Sequence, residues 1–141
     1  MKATYTSQTI SVEHVKISSE RSFAEVRRRL EHTLPKLDVS IADALRSGDQ
    51  KGAKEFDESG PKLSIFEQRD HGSLLQIFGG RRNALQYEIG NPLTSSKMNR
   101  YKLSAVLYAP LRVVLFEDER GKAVLNMTSH RPSLASLTTS E

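Results

Sequence analysis

The segment from Leu111 to Thr128 constrains the fold more than any other. Leu111 to Glu117 is dense in Val and Leu, Glu119-Arg120-Gly121 supplies a turn, and Ala123 to Thr128 resumes the apolar run, so the segment reads as a β-hairpin. A hairpin does not bury its apolar face alone; it needs further strands or a helix against it. The chain offers both. Leu85, Tyr87 and Ile89 alternate as a strand closed by Gly90-Asn91-Pro92, and Lys62 to Arg69 holds Leu63, Ile65 and Phe66 between breakers. Thr9 to Ser18 carries Ile10, Val12, Val15 and Ile17 with a phase change near His14, the pattern of a bulged strand.

Helices are marked by caps and stops. Ser22 and Glu25 have the spacing of a capping box, and Phe23, Val26, Leu30 and Leu34 recur on one face until Pro35 ends the run. Asp38 to Ser47, stopped by Gly48, and Asp49 to Ser59, closed by Gly60-Pro61, form two shorter helices. Ser73 to Phe78 is two turns long and fits a short helix. Asn91 or Thr94 caps a helix running through Met98 to about Leu107, which Ala109-Pro110 terminates.

This order predicts an α+β fold: a two-layer α/β sandwich with a mixed sheet of about five strands, helices on one face and the hairpin at the C-terminal end. With 141 residues the chain has room for one core, taken as a single domain over 1–132, with Ser133 to Glu141 a frayed, Ser- and Thr-rich tail. An apolar fraction of 37% and a mean hydropathy of −0.49 argue against a membrane protein. The chain has no cysteine, which removes disulfides, thiolate nucleophiles and cysteine-ligated clusters. Met1 to Ile10 has neither an apolar h-region nor an Arg-rich amphipathic pattern, so the cytoplasm is expected.

The net charge is +4, and its distribution matters more than its size. Residues 1–70 are balanced at twelve cations and twelve acids. Between Arg81 and Arg112, six cations (Arg81, Arg82, Lys97, Arg100, Lys102, Arg112) face the single acid Glu88. A compact positive site for a small anion follows, whereas the run Arg27-Arg28-Arg29 is flanked by Glu25 and Glu31 and reads as a solvated helix face. Nucleic acid, suggested by the pI alone, ranks last among partners.

Three constellations bear on chemistry. His71, between Asp70 and Gly72 at a strand end, is placed to act as general acid or base with Asp70 as its orienter; the alternative is that Asp70 and His71 only finish the strand. Asn91, Thr94, Lys97 and Arg100 surround a helix start whose free amides favour phosphate or carboxylate; the alternative is that Asn91 caps the turn and the cations are solvated. Tyr108, beside Ala109-Pro110, serves either a pocket or the core. The four histidines lack metal-ligand spacing, so no metal is expected. No paired carboxylates and no phosphate-binding glycine fingerprint appear, and no cofactor is implied.

A set of particular residues resembles a known family: Phe66-Glu67-Gln68-Arg69-Asp70-His71-Gly72, Tyr87-Glu88-Ile89-Gly90-Asn91-Pro92-Leu93-Thr94, Met98, Leu107-Tyr108-Ala109-Pro110-Leu111 and Arg131-Pro132-Ser133. Their order and spacing are similar to the uncharacterised bacterial and fungal domain catalogued as domain of unknown function 302. The resemblance implies a two-layer α/β domain that forms homodimers with a groove suspected of holding a ligand. It implies no reaction. Gly72 after the histidine departs from some members.

The resulting expectation is a homodimer that binds a small anionic molecule near Asn91, Thr94, Lys97, Arg100 and His71, with Tyr108 at the pocket. The competing expectation is an enzyme working through His71 and Asp70; whether any reaction is catalysed stays open.

Overall fold

Ser22 ends the first strand and begins the first helix in a single step. Its backbone is extended, and its hydroxyl accepts from the Glu25 amide at 3.2 Å, satisfying one of the free donors of the helix start. Asp38 and Asp49 cap the next two helices by the same device, accepting from Ser40 N and Gly52 N at 2.9 Å each. The computed structural model describes residues 1–129. Within them lie β1 (Glu13–Ser22), α1 (Phe23–Thr33), α2 (Val39–Arg46), α3 (Gln50–Ser59), β2 (Ser64–Asp70), β3 (Ala84–Gly90), α4 (Pro92–Asn99), β4 (Leu111–Glu117) and β5 (Lys122–Ser129). Two 3-10 helices, Ser73–Phe78 and Leu103–Tyr108, interrupt the connections that lead into β3 and β4.

The fold is α+β, built on one five-stranded sheet in the order β1-β5-β4-β3-β2. Every ladder is antiparallel, where a mixed sheet was expected. The reason is that β2, β3, β4 and β5 form a meander: the short helices between β2, β3 and β4, and the turn between β4 and β5, return the chain to the adjacent strand instead of crossing the sheet. The connection through α1, α2 and α3 carries the chain from one edge, β1, to the other, β2. Among the described residues the parallel contact is an isolated bridge, Lys36 beside Ile65, with Ile65 N donating to Pro35 O at 2.8 Å.

Alternation puts Leu85, Tyr87 and Ile89 of β3, Val113 and Leu115 of β4 and Ala123, Leu125 and Met127 of β5 on one face. There they pack with Phe23, Val26, Leu30 and Leu34 of α1. That α1 face of the sheet is the core. The 3-10 helices border the opposite face, where Leu75 stands beside Ala84, Val114 and Phe116.

Two boundaries differ from the sequence reading. The irregularity of β1 falls between Ser18 and Ser22, not at His14, because β1 starts at Glu13, opposite Ser129, and Ile10 and Val12 precede the ladder. The helix after Asn91 stops at Asn99 instead of reaching Leu107. Its last turn tightens through Tyr101 N to Met98 O and Lys102 N to Asn99 O, and Lys102 is extended before the second 3-10 helix begins. The tail from Ser133 to Glu141, and with it His130 and Arg131-Pro132-Ser133, lies outside the described residues.

Candidate functional site

The β2–β3 pair separates the residues singled out from sequence into two groups. His71 N and Gly72 N both donate to Ala84 O at 3.0 Å, so Asp70 and His71 sit where β3 begins. Asn91 follows Gly90, where β3 ends. Seven residues of extended chain place the two groups about 20 Å apart. The structure does not bring His71 together with Asn91, Thr94, Lys97 and Arg100.

At the first group, the Asp70 carboxylate accepts from Ser73 N at 3.0 Å, and this backbone hydrogen bond holds it below the usual carboxylate range. It caps the first 3-10 helix. Gln86, not Asp70, contacts the imidazole: Nε2 of His71 lies 2.8 Å from Gln86 Oε1. Gly72 is required by close packing, since a Cβ there would stand 1.9 Å from Arg82 O and 2.8 Å from Ala84 N.

At the second group, the Asn91 side chain occupies the start of α4 itself. Its Oδ1 accepts from Leu93 N at 3.0 Å and Thr94 N at 3.1 Å, while Nδ2 donates to Lys62 O at 3.1 Å. Lys97 pairs with Asp57 of α3 at 3.1 Å. Arg100 lies over the Tyr101 ring, 4.7 Å from its centroid. Thr94 is exposed on the same helix.

Tyr108 belongs to a third place. With Leu107, Pro110, Leu111, Arg112 and Thr128 it lines a hollow of about 280 Å³ where β4 begins. Arg112 and Thr128 point away from α1, by their alternation with the buried Val113 and Met127. Arg112 makes no hydrogen bond or ion pair among the described residues. Its cross-strand neighbour Glu88 instead accepts from Arg69 at 2.9 Å, and Arg69 also holds Glu67 at 2.6 Å. Arg112 was counted within the basic stretch, yet nothing in its sequence neighbourhood distinguishes it from the other cations; its freedom follows from where Arg69 turns Glu88.

A second hollow of about 270 Å³ lies at the other end of β4, lined by Leu75, Ala84, Val114 and Phe116 together with Asn83, Glu117 and Arg82, whose guanidinium donates to Glu117 O at 2.9 Å. Both Glu117 oxygens are taken by Asn83, from N at 3.0 Å and Nδ2 at 3.1 Å, and these bonds lower its pKa. The arginine run on α1 is largely spent on its own helix, Arg27 on Glu31 at 3.1 Å and Arg29 on Glu25 at 3.2 Å. No helix of the described residues is long and apolar enough to cross a membrane.

Residues 55–140 match the model of a family described as domain of unknown function DUF302. The chain belongs to the DUF302 family. The fold agrees: the crystal structure of an uncharacterized conserved protein DUF302 from Bacillus stearothermophilus superposes with a TM-score of 0.54 at 15% identity, over 81% of this chain and 71% of that one. At that identity the likeness speaks for the fold alone. No curated protein matches the chain. The DUF302 match takes in β2, the Asp-His-Gly end, Asn91 and the hollow at Tyr108, but not β1 or α1.

Proposed function

We propose that the protein is a cytoplasmic binding domain that holds a small anionic molecule in a groove of a homodimer, with Arg112 as the anion's contact. The observation that carries this reading is the guanidinium of Arg112 in the hollow of Tyr108 and Thr128, which has no hydrogen-bond or ion-pair partner among the described residues. A guanidinium offers a planar fork of donors that matches a carboxylate or phosphate. Thr94, Lys97 and Arg100 add positive charge on α4 and favour the approach of anions.

The homodimer is supported by surface that a single copy leaves uncovered. Ile77 and Phe78 of the first 3-10 helix are 82% and 85% exposed, and Leu103 and Leu107 of the second are 78% and 70% exposed. Five strands of seven to ten residues present a face of roughly 550 Å² or more. With these helices added, it approaches the ~800 Å² per partner of a stable interface. A second copy seated there encloses the hollow.

Native mass spectrometry of the purified protein tests the reading. A dimer that carries an acidic adduct, lost in Arg112→Gln, is the expected result. A monomer, or an adduct retained equally by Arg112→Gln, overturns it.

A further inference from the structure

The two edges of the sheet differ. Beside β2, Ile65 N donates to Pro35 O at 2.8 Å and Leu37 N donates to Ile65 O at 2.9 Å, so the chain itself covers the start of that edge. Beside β1 no segment pairs among the described residues, and β1 runs in regular register from Glu13 to Ser18 before its irregularity. A long edge left in this state is a template for another strand. The segment just ahead of it has the composition of one. Residues 3–12 contain no charge, glycine or proline, and Thr4, Tyr5, Thr6, Thr9, Ile10 and Val12 are β-branched or aromatic. This arm is exposed throughout and makes no hydrogen bond among the described residues.

We propose that residues 4–12 of one copy add as an antiparallel strand to the open edge of β1 in a second copy, the exchange being made twice about a two-fold axis at Ser11. The apolar side chains choose this register. Tyr5 and Ile17 are 88% and 53% exposed, and Ile10 and Val12 are 47% exposed each. An axis at Ser11 sets Tyr5 opposite Ile17 and Ile10 opposite Val12 at once, so each of these side chains meets another. It also sets the uncharged Thr9 opposite Glu13 and Thr6 opposite Lys16. An axis at Glu13 or Lys16 instead sets like charges against each other. The arm does not turn back onto its own β1, because Ser11-Val12-Glu13 lacks the Gly, Asn or Asp of a two-residue hairpin turn. The contact uses the edge of the sheet and not the face assigned to the homodimer, so it joins homodimers and does not rest on the anion-binding reading. Ordering the arm offsets much of the gain from its main-chain bonds, which makes the association reversible.

Sedimentation velocity of the full chain over a concentration series tests this. The weight-average mass is expected to double reversibly as concentration rises. Ser7→Pro combined with Thr9→Pro is expected to abolish that rise and leave the Tm in dilute solution unchanged. Thr6→Glu, opposite Lys16, is expected to strengthen the association several-fold, and Thr9→Glu, opposite Glu13, to weaken it several-fold, although both change the net charge equally. The chain has no cysteine, so a single one reports the axis. In Ser11→Cys the two introduced residues stand about 5 Å apart between Cα atoms, within disulfide reach, whereas in Thr9→Cys they stand about 14 Å apart. Oxidative cross-linking of Ser11→Cys, and not of Thr9→Cys, is expected. Equal cross-linking of the two, or glutamates that shift the association in the same direction, overturns the pairing. A mass that stays constant with concentration, or a rise that survives the two prolines, overturns it too. The anionic adduct is expected to persist in the proline variant, so the two readings stand or fall separately.

Discussion

The hydroxyl of Tyr87 donates to Oε1 of Glu31 at 2.9 Å, joining the most deeply buried ring of the sheet to the helix that covers it. Tyr87 is fully buried, and burial first, the Glu31 carboxylate second, pushes its phenol above the ordinary range. Glu31 also accepts from Arg27, so it keeps a partner if the hydroxyl is removed. The phenol's other polar neighbour, Arg27, is itself a donor and offers its proton no acceptor. Tyr87→Phe is therefore expected to cost about 1 kcal/mol, and Glu31→Ala about 1–3 kcal/mol because it strands a buried donor. Urea unfolding of the two variants checks the order; equal losses would contradict it.

Gly72 and Gly80 form a matched pair for substitution. Alanine at Gly72 drives a methyl into Arg82 O and is expected to cost about 1–3 kcal/mol, as overpacking does. Gly80 has nothing within 4 Å of an added Cβ, and alanine there is expected to be neutral or to stabilise by a few tenths of a kcal/mol. Thermal denaturation of both variants reads the difference.

Asn91 serves α4 and the loop ahead of β2 with one side chain. Asn91→Ala removes the cap on Leu93 and Thr94 and the bond to Lys62 O together. A loss of about 1–2 kcal/mol is expected, and Asn91→Asp should recover the cap but not the Lys62 contact. Chemical denaturation separates the two contributions.

Acid is expected to loosen the start of β3 through Glu117. The two Asn83 bonds lower its folded pKa below the ordinary 4.5. A carboxylate lowered in the folded state contributes stability that is present above its unfolded value and lost as pH falls through its folded value. Glu117→Gln is thus expected to flatten the decline in Tm below about pH 4.5. Side-chain carboxyl NMR shifts should place the Glu117 midpoint below the ordinary 4.5 of a glutamate.

Local signals carried much of the fold. The caps at Ser22, Asp38, Asp49 and Asn91 are legible because a short side-chain oxygen before an apolar run has one favoured use, and all four accept backbone amides. The turn at Gly121 and the alternation of Leu85, Tyr87 and Ile89 are equally local. Strand order is not local: short helices inside a meander look, along the chain, like the crossovers of a parallel sheet. The site residues fared similarly. That Asn91 caps α4 could be read from its neighbours, but that Lys97 meets Asp57, forty positions earlier, could not. Nor could the lack of a partner for Arg112 among the described residues, which depends on Arg69 drawing Glu88 aside.

The position of β1 between the outside of the sheet and β5 has a consequence for how the chain assembles. His14 meets Asn126 across 112 positions, so the first strand made is the last to find its neighbour. Until β5 leaves the ribosome, α1 has nothing of β5 to cover, and Val15 and Ile17 wait beside an unpaired backbone. Closure of so long a loop is slow. Nascent chains halted anywhere before Lys122 therefore present an unclaimed sticky edge, and they are the forms of this protein with the greatest need of a chaperone.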